Sequence, residues 1–403
     1  MISVSDFNKR WTLGLIMLAV VILLWVLSSF LINTIFEDNS YRKPFLITYI
    51  NTAAFIFYLL PTLKKILINY HETGTFSIHH QLIIAEEGEN YSAISSHLEE
   101  QASRNLSPES PLIPKNASQT IHDNNHILTN ISTQRLSLKE TIRLSAQFCI
   151  LWFLANLATN ASLAYTSVAS QTILSSTSSF FTLFIGALCQ VETLNHSKIV
   201  GSIISFGGII LVTHSDANHK HVPYKPGPGI KDVTSPFSGK TSMLILFGNF
   251  LAIAGALFYG VYSTLLKLQV KDEDRINMKI FFGFVGLFTL IFLWPSIILL
   301  HFLNIETFEI PRDPRILCIV GLNCIITFIS DFCWAKAMLL TSPLTVTVGL
   351  SITIPVAMFG DFIFKHKSMP FLYLIGASLI LGSFYLINKS SGEDNLEQHV
   401  QDN

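Results

Sequence analysis

The sequence predicts an all-α integral membrane protein of ten transmembrane helices, arranged as two inverted five-helix repeats. Three observations lead there. Of the 403 residues, 50% are hydrophobic and only 13% are charged, a composition suited to lipid rather than water. The apolar residues are gathered into runs near or above the ~20 residues that cross a hydrocarbon core, and the charges fall between the runs. A shift of 175 residues lays Cys149–Ser215 on Cys324–Ser390 without a gap, pairing Thr166 with Thr341, Ser176 with Ser351, Gly201 with Gly376 and Gly207 with Gly382.

Taken in order, the chain opens with Lys9-Arg10 and the apolar run Trp11–Phe36, which has no small-residue cleavage site after it and reads as a retained signal-anchor helix. Pro44–Leu63 is the second span, and residues 1–68 form the first two helices of repeat one. Residues 69–138 are rich in Ser, Asn, Glu and His and poor in aromatics. Such a segment cannot bury enough apolar surface to fold and is predicted to be a disordered cytosolic insert. It carries Ser107-Pro108 and Ser110-Pro111, candidate proline-directed phosphorylation sites where kinase or sorting partners would act.

Residues 139–213 supply spans three to five, Lys139–Tyr165, Val168–Gln190 and the short Lys198–Thr213. A loop over 214–241 leads to repeat two, residues 242–388, with spans Ser242–Lys267, Ile280–His301, Arg315–Leu339, Pro343–Phe364 and Pro370–Asn388, followed by a cytosolic tail, 389–403. In the first two spans the matching shift is 234, pairing Gly14 with Gly248 and Pro61 with Pro295, and the extra length of the insert accounts for the difference between the two shifts. Five helices per repeat is an odd number, so the second copy enters the membrane from the opposite side. On this topology 16 of the 26 Lys and Arg fall on the side of the N-terminus, which makes both termini and the insert cytosolic. The sequons at Asn90, Asn105, Asn116 and Asn130 would then be silent.

Several function classes fall away. A net charge of -1 and the lack of a basic tract argue against nucleic-acid binding. The five cysteines sit in or beside apolar runs with no Cys-x-x-Cys pair and read as small buried hydrophobes. No nucleophile, zinc-protease, P-loop or dinucleotide motif is present, so neither an enzyme nor a cofactor is expected. His214, His219 and His221 with Asp216 have metal-like spacing, but histidine-containing loops are commoner than sites, and no metal is expected.

Polar residues inside a membrane are costly and therefore informative. Asp331 is the leading candidate for a substrate or ion pathway, with Asn323 and Thr327 on its helical face. The 175-residue shift places Asn156 opposite it, with Thr159 and Asn160 on the same face as Asn156. Trp25, Tyr259 and Tyr262 lie at matched depths in spans one and six, and Lys267 ends span six as either an anion partner or an interfacial anchor. Glu192 is an edge candidate and Pro355 a candidate gate. The hydroxyls from Ser170 to Thr182 read chiefly as packing residues in a close-packed wall of the cavity.

The stretches "KRWTLG", "FEDNSYRKPF", "ILWFLANLATNASLAYTSVASQTILSSTSSFFTLF", "KIFFGFVGLF" and "SDFCWAKAMLLTSPLTVTVGLSITIPVAMFGD" resemble the drug/metabolite transporter superfamily. Within it the chain is similar to the F branch of solute carrier family 35, and in particular to its fungal vacuolar and thiamine-repressible members. The resemblance implies a transporter of the vacuolar membrane, or alternatively of the Golgi or mitochondrial membrane, embedded in lipid and moving a small-molecule solute. It further implies a central cavity enclosed by helices one to four and six to nine. The family's Glu after the fourth helix is matched by Glu192, whereas the second copy has Lys367 there. Asp331 suits a cationic solute or a proton; a nucleotide sugar would favour Lys267. A non-transporting scaffold or sensor working through the insert is the remaining alternative.

Overall fold

A computed structural model describes residues 4–37, 43–73, 136–162, 165–166, 168–219, 241–303, 306, 308, 313–365 and 370–401. Among them the structure is helical throughout: α1 Val4–Glu37, α2 Pro44–Ala53 continuing through a 3-10 turn Ala54–Leu59 into α3 Leu60–Thr73, α4 Leu138–Ser162, α5 Val168–Ser175, α6 Ser178–Leu188, α7 His196–His219 and α8 Thr241–Val270. A short 3-10 turn Glu273–Arg275 precedes α9 Met278–Phe302, α10 Pro314–Leu340, α11 Pro343–Leu350, α12 Thr353–Lys365 and α13 Phe371–Gln401. Ser107, Ser110, the sequons and His221 lie outside the described residues.

Local chemistry explains the helix starts. Ser137 and Glu140 form a reciprocal capping box at the head of α4, the Ser137 N–H donating to Glu140 Oε2 at 2.8 Å and the Glu140 N–H to Ser137 Oγ at 3.3 Å. Asn277 and Asp313 cap α9 and α10 through their side-chain oxygens, and Pro314 occupies the first turn of α10. Glu306, from the connection after α9, accepts from the N–H groups of Phe45 and Leu46 and so closes the start of α2.

Nine helices among the described residues are long and apolar enough to cross a membrane. The sequence-based expectation was ten, and the difference lies at Val168–Gln190. That stretch is hydroxyl-rich and is split into α5 and α6, of 8 and 11 residues; α11 and α12, split likewise into 8 and 13 residues, together count as one of the nine, Pro343–Gly360. The fifth span is longer than expected, since α7 runs 24 residues. The last helix continues beyond Asn388 to Gln401.

The two halves of the sequence pack alike. α1 lies along α10, and α8 along α4; the repeat correspondence turns one of these pairs into the other. The same exchange relates α8 on α6 to α1 on α12, and α5 on α7 to α11 on α13. Close approaches agree residue by residue. A Cβ on Gly14 would meet Thr341 Cγ2 at 2.7 Å, and one on the matched Gly248 would meet Tyr165 Cβ at 2.8 Å and the Thr166 N at 3.0 Å. α7 and α13 cross backbone to backbone, where a Cβ on Gly208 or on Gly376 would lie 2.8 Å from the other residue's carbonyl oxygen.

The buried core is aromatic and sits toward the end of the bundle that holds the start of α1. Phe148 packs edge-on against Tyr262, Phe281 and Phe282, and Tyr262 in turn on Trp334. Large apolar side chains such as Leu23, Phe184, Met243, Phe250, Phe292, Phe302 and Phe371 point outward, as lipid-facing residues do. At the same end as the core, Arg10 pairs with Asp274 at 3.0 Å, and Lys336 approaches Glu273 at 3.7 Å and the Phe332 ring. Burial raises the Glu273 carboxyl above its ordinary value even with Lys336 beside it.

Candidate functional site

Above the aromatic core lies a cavity of about 660 Å³, lined by α1, α2, α4, α5, the start of α6, Ile209 of α7, α8, α10 and the residues around the α11–α12 break. Its floor is formed by Trp152, Tyr259, Tyr262 and Trp334, with Trp334 Nε1 donating to the Tyr259 hydroxyl at 3.3 Å. At the other end the wall is polar and open: Ser29 is exposed, and Thr48, Asn160 and Gln171 are half-buried.

One charged side chain lines this cavity among the described residues, that of Asp331. It is 6% exposed, and its Oδ2 has no hydrogen-bond partner. Beside it, Trp25 Nε1 donates to Ser330 Oγ at 3.2 Å, which links α1 to α10 next to the carboxylate. A second acceptor, Asn51 Oδ1, is also buried in the wall without a partner. Buried acceptors are normally paired, because leaving one unmade costs about 1–3 kcal/mol. No Lys, Arg or His lines the cavity among the described residues.

The sequence candidates separate into distinct places. Asp331, Asn156, Asn160, Trp25, Tyr259 and Tyr262 all line the cavity. Asn156 Nδ2 donates to the Trp152 carbonyl and Asn160 Nδ2 to Thr48 Oγ1, so both amides are held against the wall. Asn323 is not in the lining; its Oδ1 accepts from Ser28 Oγ at 2.6 Å and tethers α10 to α1. Lys267 is also elsewhere, its Nζ donating to the carbonyls of Leu339 at 2.6 Å and Thr341 at 3.1 Å and so satisfying the end of α10. Glu192 is buried in an ion pair with Lys198 at 2.9 Å. Pro355 is the third residue of α12 and sits behind the lining, its carbonyl accepting from the Tyr373 hydroxyl at 3.1 Å.

Sequence reasoning missed Gln171 and Asn51, single amides inside apolar or hydroxyl-rich runs with no spacing partner to mark them. Thr172, Ser175, Ser176 and Ser178, read as packing residues in the cavity wall, are half-buried at the α5–α6 break and line the cavity itself.

Comparison with known proteins agrees with this architecture. Residues 246–389 match the EamA-like transporter family. The uncharacterized vacuolar membrane protein YML018C of Saccharomyces cerevisiae is 60% identical over 396 residues, covering 98% of this chain and 95% of the yeast protein. The chain belongs to the EamA-like transporter family. It is also 40% identical to the thiamine-repressible mitochondrial transport protein THI74 of Saccharomyces cerevisiae, over 96% of this chain and 94% of the relative. Mouse solute carrier family 35 member F5 is 29% identical over 94% of this chain and 77% of its own length. A solved crystal structure, 12% identical, shares the fold over 95% of this chain and 98% of its own, with a TM-score of 0.52. The chain is therefore a membrane transporter of this family and not an enzyme.

Proposed function

We propose that the chain is a secondary transporter that moves a small organic solute carrying a positive charge and hydrogen-bond donors across the vacuolar membrane by alternating access. The observation that carries this reading is Asp331, a buried carboxylate with an unpartnered oxygen and the one charged side chain on the cavity wall among the described residues. A carboxylate in lipid costs roughly 2.5 kcal/mol or more, and a cation drawn into the cavity, or a proton carried in exchange, offsets that cost. Trp25, Trp152 and Trp334 line the same space and favour a flat cation. A nucleotide sugar fits poorly, since its phosphates would meet no cationic side chain among the described lining residues.

Ten spans in two inverted repeats are the topology of this proposal, with α5–α6 and α11–α12 as matched broken spans. Supporting it, the Thr177 N–H donates to the Leu174 carbonyl at 3.1 Å and the Ile352 N–H to the Gly349 carbonyl at 3.0 Å, the same bond shifted by 175 residues. Broken helices at the membrane midplane are where transporters of this design hold their cargo. The termini and the insert are assigned to the cytosol, with the insert, through Ser107 and Ser110, as the docking region for kinases or sorting factors. The vacuolar location follows the yeast relative named above.

A fluorescence titration tests the solute class, because three of the five tryptophans line the cavity. Aromatic organic cations should change the emission of the purified protein saturably, and nucleotide sugars should not. The reverse pattern would assign the cavity to anions and remove Asp331 from the proposal.

A further inference from the structure

The chain treats the two broken spans unequally at one end. The end of α6 is followed by Gln190 at φ 57, in the left-handed region that non-glycine residues seldom adopt. The turn lets the N–H groups of Val191 and Glu192 both donate to the Gly186 carbonyl, at 2.8 and 3.0 Å, and folds Glu192 back over Gly186. A Cβ on Gly186 would meet Glu192 Cγ at 2.9 Å, so the glycine makes the room. Together with the Gln190 N–H donating to the Ala187 carbonyl at 3.1 Å, these bonds form the left-handed cap with which many helices end.

Next to this cap lies a buried set of charges. Glu192 Oε2 accepts from Lys198 Nζ at 2.9 Å, and the same ammonium reaches Asp394 on α13 at 3.0 Å and Thr193 Oγ1 at 3.0 Å. The Glu192 and Lys198 side chains are each 1% exposed. The other carboxylate oxygen, Glu192 Oε1, accepts from the Leu344 N–H at 3.0 Å, at the first turn of α11. Ser342 caps the same turn by accepting from the Thr345 N–H. The positive end of α11 thus meets a carboxylate already neutralised by Lys198. Under the repeat, Glu192 corresponds to Lys367, a residue of opposite charge that lies outside the described residues.

We infer that Glu192, Lys198 and Asp394 form a one-sided latch: they fix the start of α11 to the α6–α7 connection and to α13, and so hold the cavity shut at the termini end while it is open at the other. The inference rests on the alternating-access reading. Breaking a buried pair by removing one partner is strongly unfavourable where the pair forms, so a state in which α11 has left Glu192 becomes more populated once the latch is weakened.

The test uses the full-length chain in membrane vesicles, with its five cysteines replaced and Ser351→Cys introduced at the cavity-lining break. Labelling by a membrane-impermeant thiol reagent is compared from each face. The unmodified latch should give labelling from both faces, with the face away from the termini the faster; labelling from one face alone would overturn alternating access itself. Glu192→Gln, which keeps an acceptor for the Leu344 N–H but loses the charge, should raise the termini-face rate relative to the other by roughly tenfold, the effect of about 1.4 kcal/mol of population shift. Asp394→Asn, at the more exposed end of the network, should shift it in the same direction by less. If both variants elute as single folded species and leave the ratio unchanged, the charges merely stabilise the fold and the latch is wrong. Should neither fold, the network is a folding element and the latch is equally overturned.

Discussion

α5–α6 and α11–α12 break at the same register and live in unlike surroundings. α5 presents half-buried Gln171, Thr172 and Ser175 to the cavity, whereas Pro343 to Gly349 of α11 are all buried. Hydroxyls donate to carbonyls at each break: Ser176 Oγ to the Ile173 carbonyl, Thr177 Oγ1 to that of Leu174, and Thr353 Oγ1 to that of Leu350. A proline follows only the second break, so proline does not cause the pair. Where the chain breaks is common to both copies; how firmly each half-helix is held depends on residues found in one copy only, Glu192 above all.

The correspondence can be broken most severely at its tightest contacts. Gly14→Leu and Gly248→Leu push a side chain into Thr341 and into Tyr165–Thr166 respectively. We predict that each abolishes the monodisperse peak of detergent-solubilised protein; loss in one alone would mean that the two contacts are not equivalent. Next comes Lys267→Met, which strips a donor from two buried carbonyls at the end of α10. It should cost about 1–3 kcal/mol, seen as a lower thermal midpoint, with the preference among solutes unchanged. A reversal of solute preference would return Lys267 to the cavity.

Smaller effects refine the comparison of the breaks. Thr177→Val and Thr353→Val each remove one hydroxyl-to-carbonyl bond and should each cost about 0.5–1.5 kcal/mol in thermal denaturation. A large inequality would show that one break is held chiefly by other contacts. Pro355→Ala should be the mildest, within about 0.5 kcal/mol and with transport retained, because the first copy breaks without a proline. A loss of flux in that variant would restore Pro355 as a gate.

Much of this arrangement was legible in the chain. Apolar runs marked most of the spans, and the 175-residue shift paired Asn156 with Asp331, both of which line the cavity. The breaks were illegible, because an unbroken run of apolar and hydroxyl residues carries no glycine or proline at Ser176-Thr177 to mark an interruption. Lys267 and Glu192 were visible as charges at helix ends, but a charge that closes a helix terminus and one that faces a solute read alike until the terminus is located. Asn51 and Gln171 had no partner in the repeat to draw attention to them.

We propose that Asp331, with Asn156 in the same lining, makes the cavity a carrier for cationic solutes. Uptake of a radiolabelled aromatic organic cation into vesicles of the purified protein, with Asp331→Asn beside it, tests this most directly. Expected are saturable uptake by the native chain and a fall of about tenfold or more in the variant, the effect of roughly 1.4 kcal/mol of lost charge pairing, with folding unchanged. Equal uptake by Asp331→Asn across a range of pH would contradict it.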